Sequence, residues 1–142
     1  MTQENKDLLF KDLCARIPYL VKVNITNRES KNRIVELTED NICHLTNNWW
    51  SEYKPYLFPM SSITEEQANE LFNLFGISLL DSVGRDYIKI NECTGITFFL
   101  NKGFDVETHL DKLMNWLNTN HFDYRGLIPM GLAIDATNLN IY

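Results

Sequence analysis

The sequence predicts an α+β domain in which three helices pack on a mostly antiparallel sheet of about five strands. Two observations carry this. Apolar residues recur at helical spacing in three separated stretches, and in the short stretches between them apolar and polar residues alternate. The resulting order is helix, three strands, helix, two strands, helix and an apolar tail. With 142 residues, a single domain over 1–142 is expected. A chain of that size buries about two thirds of its unfolded surface, enough for one core.

Residues 3–17 carry Leu9, Leu13 and Ile17 four apart, Phe10 and Cys14 thicken the same stripe, and Pro18 ends the helix. From Leu20 to Thr26 the chain alternates, with Val21, Val23 and Ile25 against Lys22, Asn24 and Thr26, the period of a half-buried strand. Polar residues 27–32 form a turn, and strands over 33–37 and 41–46 complete an antiparallel meander. The following segment holds Pro55 and Pro59, which predict an irregular connection rather than a central strand. Thr64-Glu65-Glu66-Gln67 matches a capping box and opens a helix that buries Ala68, Leu71, Phe72 and Phe75 until Gly76 stops it. Residues 86–91 and 96–101 read as a hairpin closed by Glu92 to Gly95. Asp105 caps the third helix, whose stripe is Val106, Leu110, Leu113, Met114 and Leu117, and Asn118-Thr119-Asn120 closes it. The tail from His121 to Tyr142 lacks a long period but ends in Leu139, Ile141 and Tyr142, so it is expected to be pinned to the body.

Composition narrows the class of function. The net charge is −6, yet residues 1–35 hold seven Lys or Arg against four acids, while the remainder holds six against fifteen. An acidic surface repels phosphate backbones, so nucleic acid is disfavoured as a partner, except through the small basic N-terminal region. No apolar run is long enough for a membrane helix, and the polar start Met1-Thr2-Gln3-Glu4-Asn5 lacks the apolar middle of a secretory signal, which points to the cytoplasm. Cys14, Cys43 and Cys93 are odd in number and widely spaced, which fits buried thiols better than a disulfide framework or a zinc site.

Neither a G-x-x-x-x-G-K loop nor a G-x-G-x-x-G loop occurs, and the three histidines form no H-E-x-x-H pair, so no cofactor and no metal is expected. Ser61-Ser62 reads as turn and cap chemistry, and Glu107 with Asp111 reads as a solvated helix face. Two features stand out as binding candidates. The first is the aromatic segment Trp49, Trp50, Tyr53, Tyr56 and Phe58, whose rings either seal the core or anchor a partner. The second is Tyr124 with Arg125, an arginine suited to bidentate contact with a carboxylate or phosphate, or to satisfying carbonyls near a helix end.

Two stretches, Lys54-Pro55-Tyr56-Leu57-Phe58-Pro59-Met60-Ser61-Ser62 with Thr64-Glu65-Glu66, and Asn120 to Ile128 continuing through Gly131-Leu132-Ala133-Ile134-Asp135-Ala136, resemble a group of small proteins of gut-bacterial genomes and their prophages or mobile elements. That resemblance covers about a third of the chain directly. It brings no assigned reaction, cofactor or active-site residue. It implies an intracellular accessory protein acting on host or phage machinery.

The expectation is therefore a non-enzymatic module that binds a protein partner through Trp49, Trp50, Tyr53, Tyr56 and Phe58, with Tyr124 and Arg125. The alternatives are a small ligand-binding protein or enzyme with an anion pocket near Arg125, and a nucleic-acid binder using the basic first 35 residues. A homo-oligomer is left open.

Overall fold

Helix α1 runs from Gln3 to Arg16 in the computed structural model, which describes residues 1–26, 32–42, 52–75, 87–91, 95–99 and 106–142. Thr2 caps it, its hydroxyl accepting the Asn5 N–H at 3.2 Å, and Glu4 and Arg16 at the two ends complement the helix dipole. The buried face is Leu9, Asp12, Leu13 and Arg16, spaced i, i+3, i+4 and i+7. The inward stripe is thus corrected: Phe10 and Cys14 are exposed, and an ion pair takes their place. A turn of 3-10 helix, Ile17–Tyr19, holds Pro18, and Leu20 follows in the left-handed region at φ 54°.

Strand β1, Lys22–Thr26, pairs antiparallel with β2, Arg33–Glu36, on one side and with β3, Glu52–Leu57, on the other. A two-residue strand β6, Ile134–Asp135, returns from the tail and lies parallel to β3, giving the order β2-β1-β3-β6. Val21 and Val23 are fully buried and Ile25 packs against the same core, as alternation requires. Leu9, Leu13, Leu37, Ile42, Tyr53, Leu57, Leu127, Leu132 and Ala133 complete that core.

Two expectations change here. The aromatic stretch is not irregular: residues 52–57 are an inner strand despite Pro55. Proline is tolerated where its nitrogen faces no ladder acceptor, and the ladder to β6 begins at Tyr56, one residue past Pro55. Residues 39–42 are helical, which removes the start of the strand expected over 41–46; residues 43–46 lie outside the described residues. Thr38 and Asn41 explain the change, because the Thr38 N–H donates to Asn41 Oδ1 at 2.8 Å while the Asn41 N–H donates to Thr38 Oγ1 at 3.4 Å. That is a capping box with asparagine in the place of glutamate.

These elements, Met1–Phe58 with Leu127–Tyr142, form one unit, and Pro59–Gly126 forms another. The second opens with a 3-10 turn, Met60–Ser62, in which Ser62 Oγ donates to the Pro59 carbonyl at 2.7 Å. Helix α2, Glu65–Phe75, starts at the expected capping box, with Thr64 N–H to Gln67 Oε1 at 3.0 Å and Gln67 N–H to Thr64 Oγ1 at 3.2 Å. Leu71 is buried and Ala68 half-buried. Strands β4, Tyr87–Asn91, and β5, Gly95–Phe99, form the expected hairpin, but as a separate two-stranded sheet. The five-stranded antiparallel sheet is accordingly corrected to a four-stranded mixed sheet plus a hairpin, within an α+β architecture.

Helix α3, Val106–Thr119, buries Leu113, Trp116 and Leu117. Its end is a Schellman motif: Phe122 N–H donates to the Leu117 carbonyl and His121 N–H to the Asn118 carbonyl, with His121 left-handed at φ 57°. The hydrophobic contact belonging to that motif is Phe122 stacked on Trp116, centroids 5.6 Å apart. The cap expected at Asp105 and the stop at Gly76 lie outside the described residues.

Candidate functional site

Strand β3 sorts the aromatic segment by its period of two. Register places Tyr53 opposite Ile25 and Pro55 opposite Val23, so Tyr53, Pro55 and Leu57 face the core, and Tyr53 is buried. Lys54 and Tyr56 face the other side of the sheet, where Tyr56 lies opposite Ile134 and is also buried. Phe58 is half-buried and its ring meets Tyr142, with centroids 5.8 Å apart and the planes tilted by 49°. Trp49 and Trp50 lie outside the described residues. Tyr53 and Tyr56 are therefore buried on opposite faces of this strand.

Around Tyr142 the tail makes its firmest polar contacts. The pairing Val23↔Pro55, extended one step, puts Lys22 opposite Tyr56. There the Lys22 N–H donates to the Tyr142 hydroxyl at 3.1 Å, and that hydroxyl donates to the Tyr56 carbonyl at 2.7 Å. A phenol oxygen thus relays a rung between β1 and β3. The Lys22 ammonium donates to the Ile141 carbonyl at 2.6 Å and sits 5.7 Å from the Tyr142 ring centroid. Burial of the hydroxyl pushes its pKa up to about 12, against the smaller opposing effects of the Lys22 N–H and the Arg16 charge. At neutral pH it is a structural bridge rather than an acid–base group. This tail contact could be anticipated from the apolar ending of the chain, but the residue it finds could not.

Sequence reasoning missed the Asp12–Arg16 pair. Nε of Arg16 lies 2.7 Å from Asp12 Oδ2, and both side chains are fully buried. The i, i+4 spacing was legible, but such pairs sit on solvated helix faces by default.

In the second unit Tyr124 is buried, and the half-buried Arg125 guanidinium lies 5.0 Å over its ring. Asp123 beside them is buried as well. The structure thus joins Tyr124 to Arg125 in one unit and Phe58 to Tyr142 in the other. Burial raises the pKa of Cys14, an exposed thiol where a buried one was expected; Cys43 and Cys93 lie outside the described residues. Ser62 acts in a turn and Asp111 is exposed, as their sequence contexts implied. Among the described residues no group of three or more His, Cys, Asp or Glu side chains is gathered to hold a metal ion, and no helix is long and apolar enough to cross a membrane.

Comparison with protein-family models, with curated proteins and with solved structures finds no match to this chain.

Proposed function

We propose that this chain is a non-enzymatic protein-interaction module, an accessory protein of a mobile element that acts by docking on a partner. One observation carries the reading: α1 turns Asp12 and Arg16 inward while exposing Phe10, 43% accessible, one turn before the exposed Cys14. A helix normally spends its inward positions on its largest apolar side chains. Where local preference and the fold disagree in this way, a functional surface is the usual reason. Phe10 is then a partner anchor, with Trp49 and Trp50 as the remaining aromatic candidates once Tyr53 and Tyr56 are assigned to the interior.

The test is affinity capture from lysate of the native host with wild-type protein, Phe10→Glu and Trp49→Ala/Trp50→Ala, each verified by circular dichroism to be folded. A protein retained by wild type and lost with Phe10→Glu supports the reading. Identical capture by wild type and Phe10→Glu, or no capture at all, counts against it.

A second reading, a small anion-binding protein, draws on the half-buried Arg125, whose guanidinium carbon lies 5.0 Å from the Tyr124 ring centroid and whose chemistry suits a carboxylate or phosphate. It predicts that phosphate or a dicarboxylate raises the melting temperature of wild type and leaves Arg125→Gln unchanged.

A further inference from the structure

We infer that residues 137–142 form a strap that opens and closes as a unit on the Tyr142 hydroxyl, exchanging a relayed rung between β1 and β3 for a direct one. The segment is built for this. Thr137, Asn138, Leu139 and Asn140 are all exposed, and Asn138 and Asn140 are left-handed at φ 68° and 48°, a conformation asparagine adopts more readily than most residues. The hydrogen bonds of Thr137 and Leu139 stay local: Thr137 N–H to Asp135 Oδ1 at 2.8 Å and Leu139 N–H to the Ala136 carbonyl at 3.1 Å. The anchors to the sheet come at its two ends. Ala136 N–H donates to the Leu57 carbonyl at 2.8 Å before the strap, and Tyr142 with the Ile141 carbonyl closes it.

What makes the Tyr142 end a switchable contact is the identity of its two partners. The β1–β3 register ends at Val23↔Pro55, and one step beyond it Lys22 N–H and the Tyr56 carbonyl are bridged by the hydroxyl, which occupies the place where the next backbone hydrogen bond of that register would fall. When the hydroxyl leaves, these two groups can meet each other and the ladder lengthens by one rung. Opening therefore orphans neither of them, and the usual penalty for abandoning a buried backbone group does not apply. Two discrete arrangements of the same groups make a bistable element in place of continuous fraying. Opening takes the Tyr142 ring off Phe58 and releases the Lys22 ammonium from the Ile141 carbonyl, which uncovers the side of β3 that carries Tyr56.

The test uses the full chain with Tyr142→Phe, which keeps the ring and deletes the hydroxyl, and with Phe58→Leu, which keeps the hydroxyl and deletes the ring contact. Chymotrypsin cleavage after Leu139 is followed by mass spectrometry, and amide exchange at Lys22 by NMR. The expected result is at least tenfold faster cleavage at Leu139 in both variants, with Lys22 still protected in Tyr142→Phe because the direct rung forms. Cleavage within twofold of wild type overturns the inference. So does loss of Lys22 protection, or acceleration accompanied by equal loss of protection throughout β1 and β3, since each shows that no separate open state exists.

Discussion

Replacing Arg16 by methionine removes a guanidinium from a site with no solvent access while leaving a long apolar side chain in its place. Asp12, equally inaccessible and 2.7 Å from the guanidinium, then loses this ion-pair partner in the interior. Breaking a buried pair on one side costs about 3–5 kcal/mol, because the desolvation of the remaining ion is no longer offset. Domains of ordinary stability have only about 5–15 kcal/mol in hand, so the variant is expected to fold close to its limit. Urea unfolding followed by far-ultraviolet circular dichroism measures it: with a slope of about 1.5–2 kcal/mol per M, a loss of about 4 kcal/mol lowers the midpoint by about 2 M. The double variant Asp12→Leu/Arg16→Met separates charge from packing. With both members of the pair replaced by apolar side chains, it is expected to return to within about 2 kcal/mol of wild type or better. A loss below about 1 kcal/mol for Arg16→Met is the range of exposed pairs and would refute the view that this pair is sealed in the core.

Tyr142 gives a pH signature. Its folded pKa, about 12, lies above the ordinary 10, so the folded state holds the phenol proton more tightly than the unfolded chain does. The stabilisation is fully present below about pH 10 and is lost as pH rises toward about 12, and Tyr142→Phe is expected to flatten that part of the stability curve; an unchanged curve counts against the relay. Leu20 and His121 are left-handed at φ 54° and 57°, which costs an L side chain about 1–2 kcal/mol that glycine avoids, less its own unfolded-state entropy. Leu20→Gly is expected to gain about 0.5–1 kcal/mol, a rise of about 2–4 °C in Tm, and His121→Gly the same or less, because its ring is lost too. Cys14 is expected to be alkylated by iodoacetamide in the native protein, with peptide mapping as the readout, and more slowly at pH 8 than a model thiol because its pKa is raised.

The parts legible in advance were those where local chemistry acts alone. The Thr64–Gln67 box needs only four consecutive residues, and the Val21-Val23-Ile25 face and the β4–β5 hairpin need only a period of two and a close turn. The Thr38–Asn41 cap is equally local but a weaker signal, since the box favours glutamate or glutamine where Asn41 stands. Pro55 misled for the opposite reason. Its missing N–H forbids a strand only if an acceptor lies beside it, and which neighbour lies there depends on where β6 begins.

By itself, the sequence determined the α+β class, the three main helices and the alternating strands. These follow from the spacing of side chains along a regular backbone, which any neighbouring element must respect. Only the tertiary structure decided that Tyr53 and Tyr56 are both buried, on opposite faces of β3, that Asp12 and Arg16 replace Phe10 and Cys14 on the buried side of α1, and that the Tyr142 hydroxyl stands between Lys22 and Tyr56. The last of these joins groups 120 positions apart in the chain. A helix stripe several residues wide can rotate toward either edge at little local cost, and the packing partners, which local periodicity does not encode, select the edge that is buried.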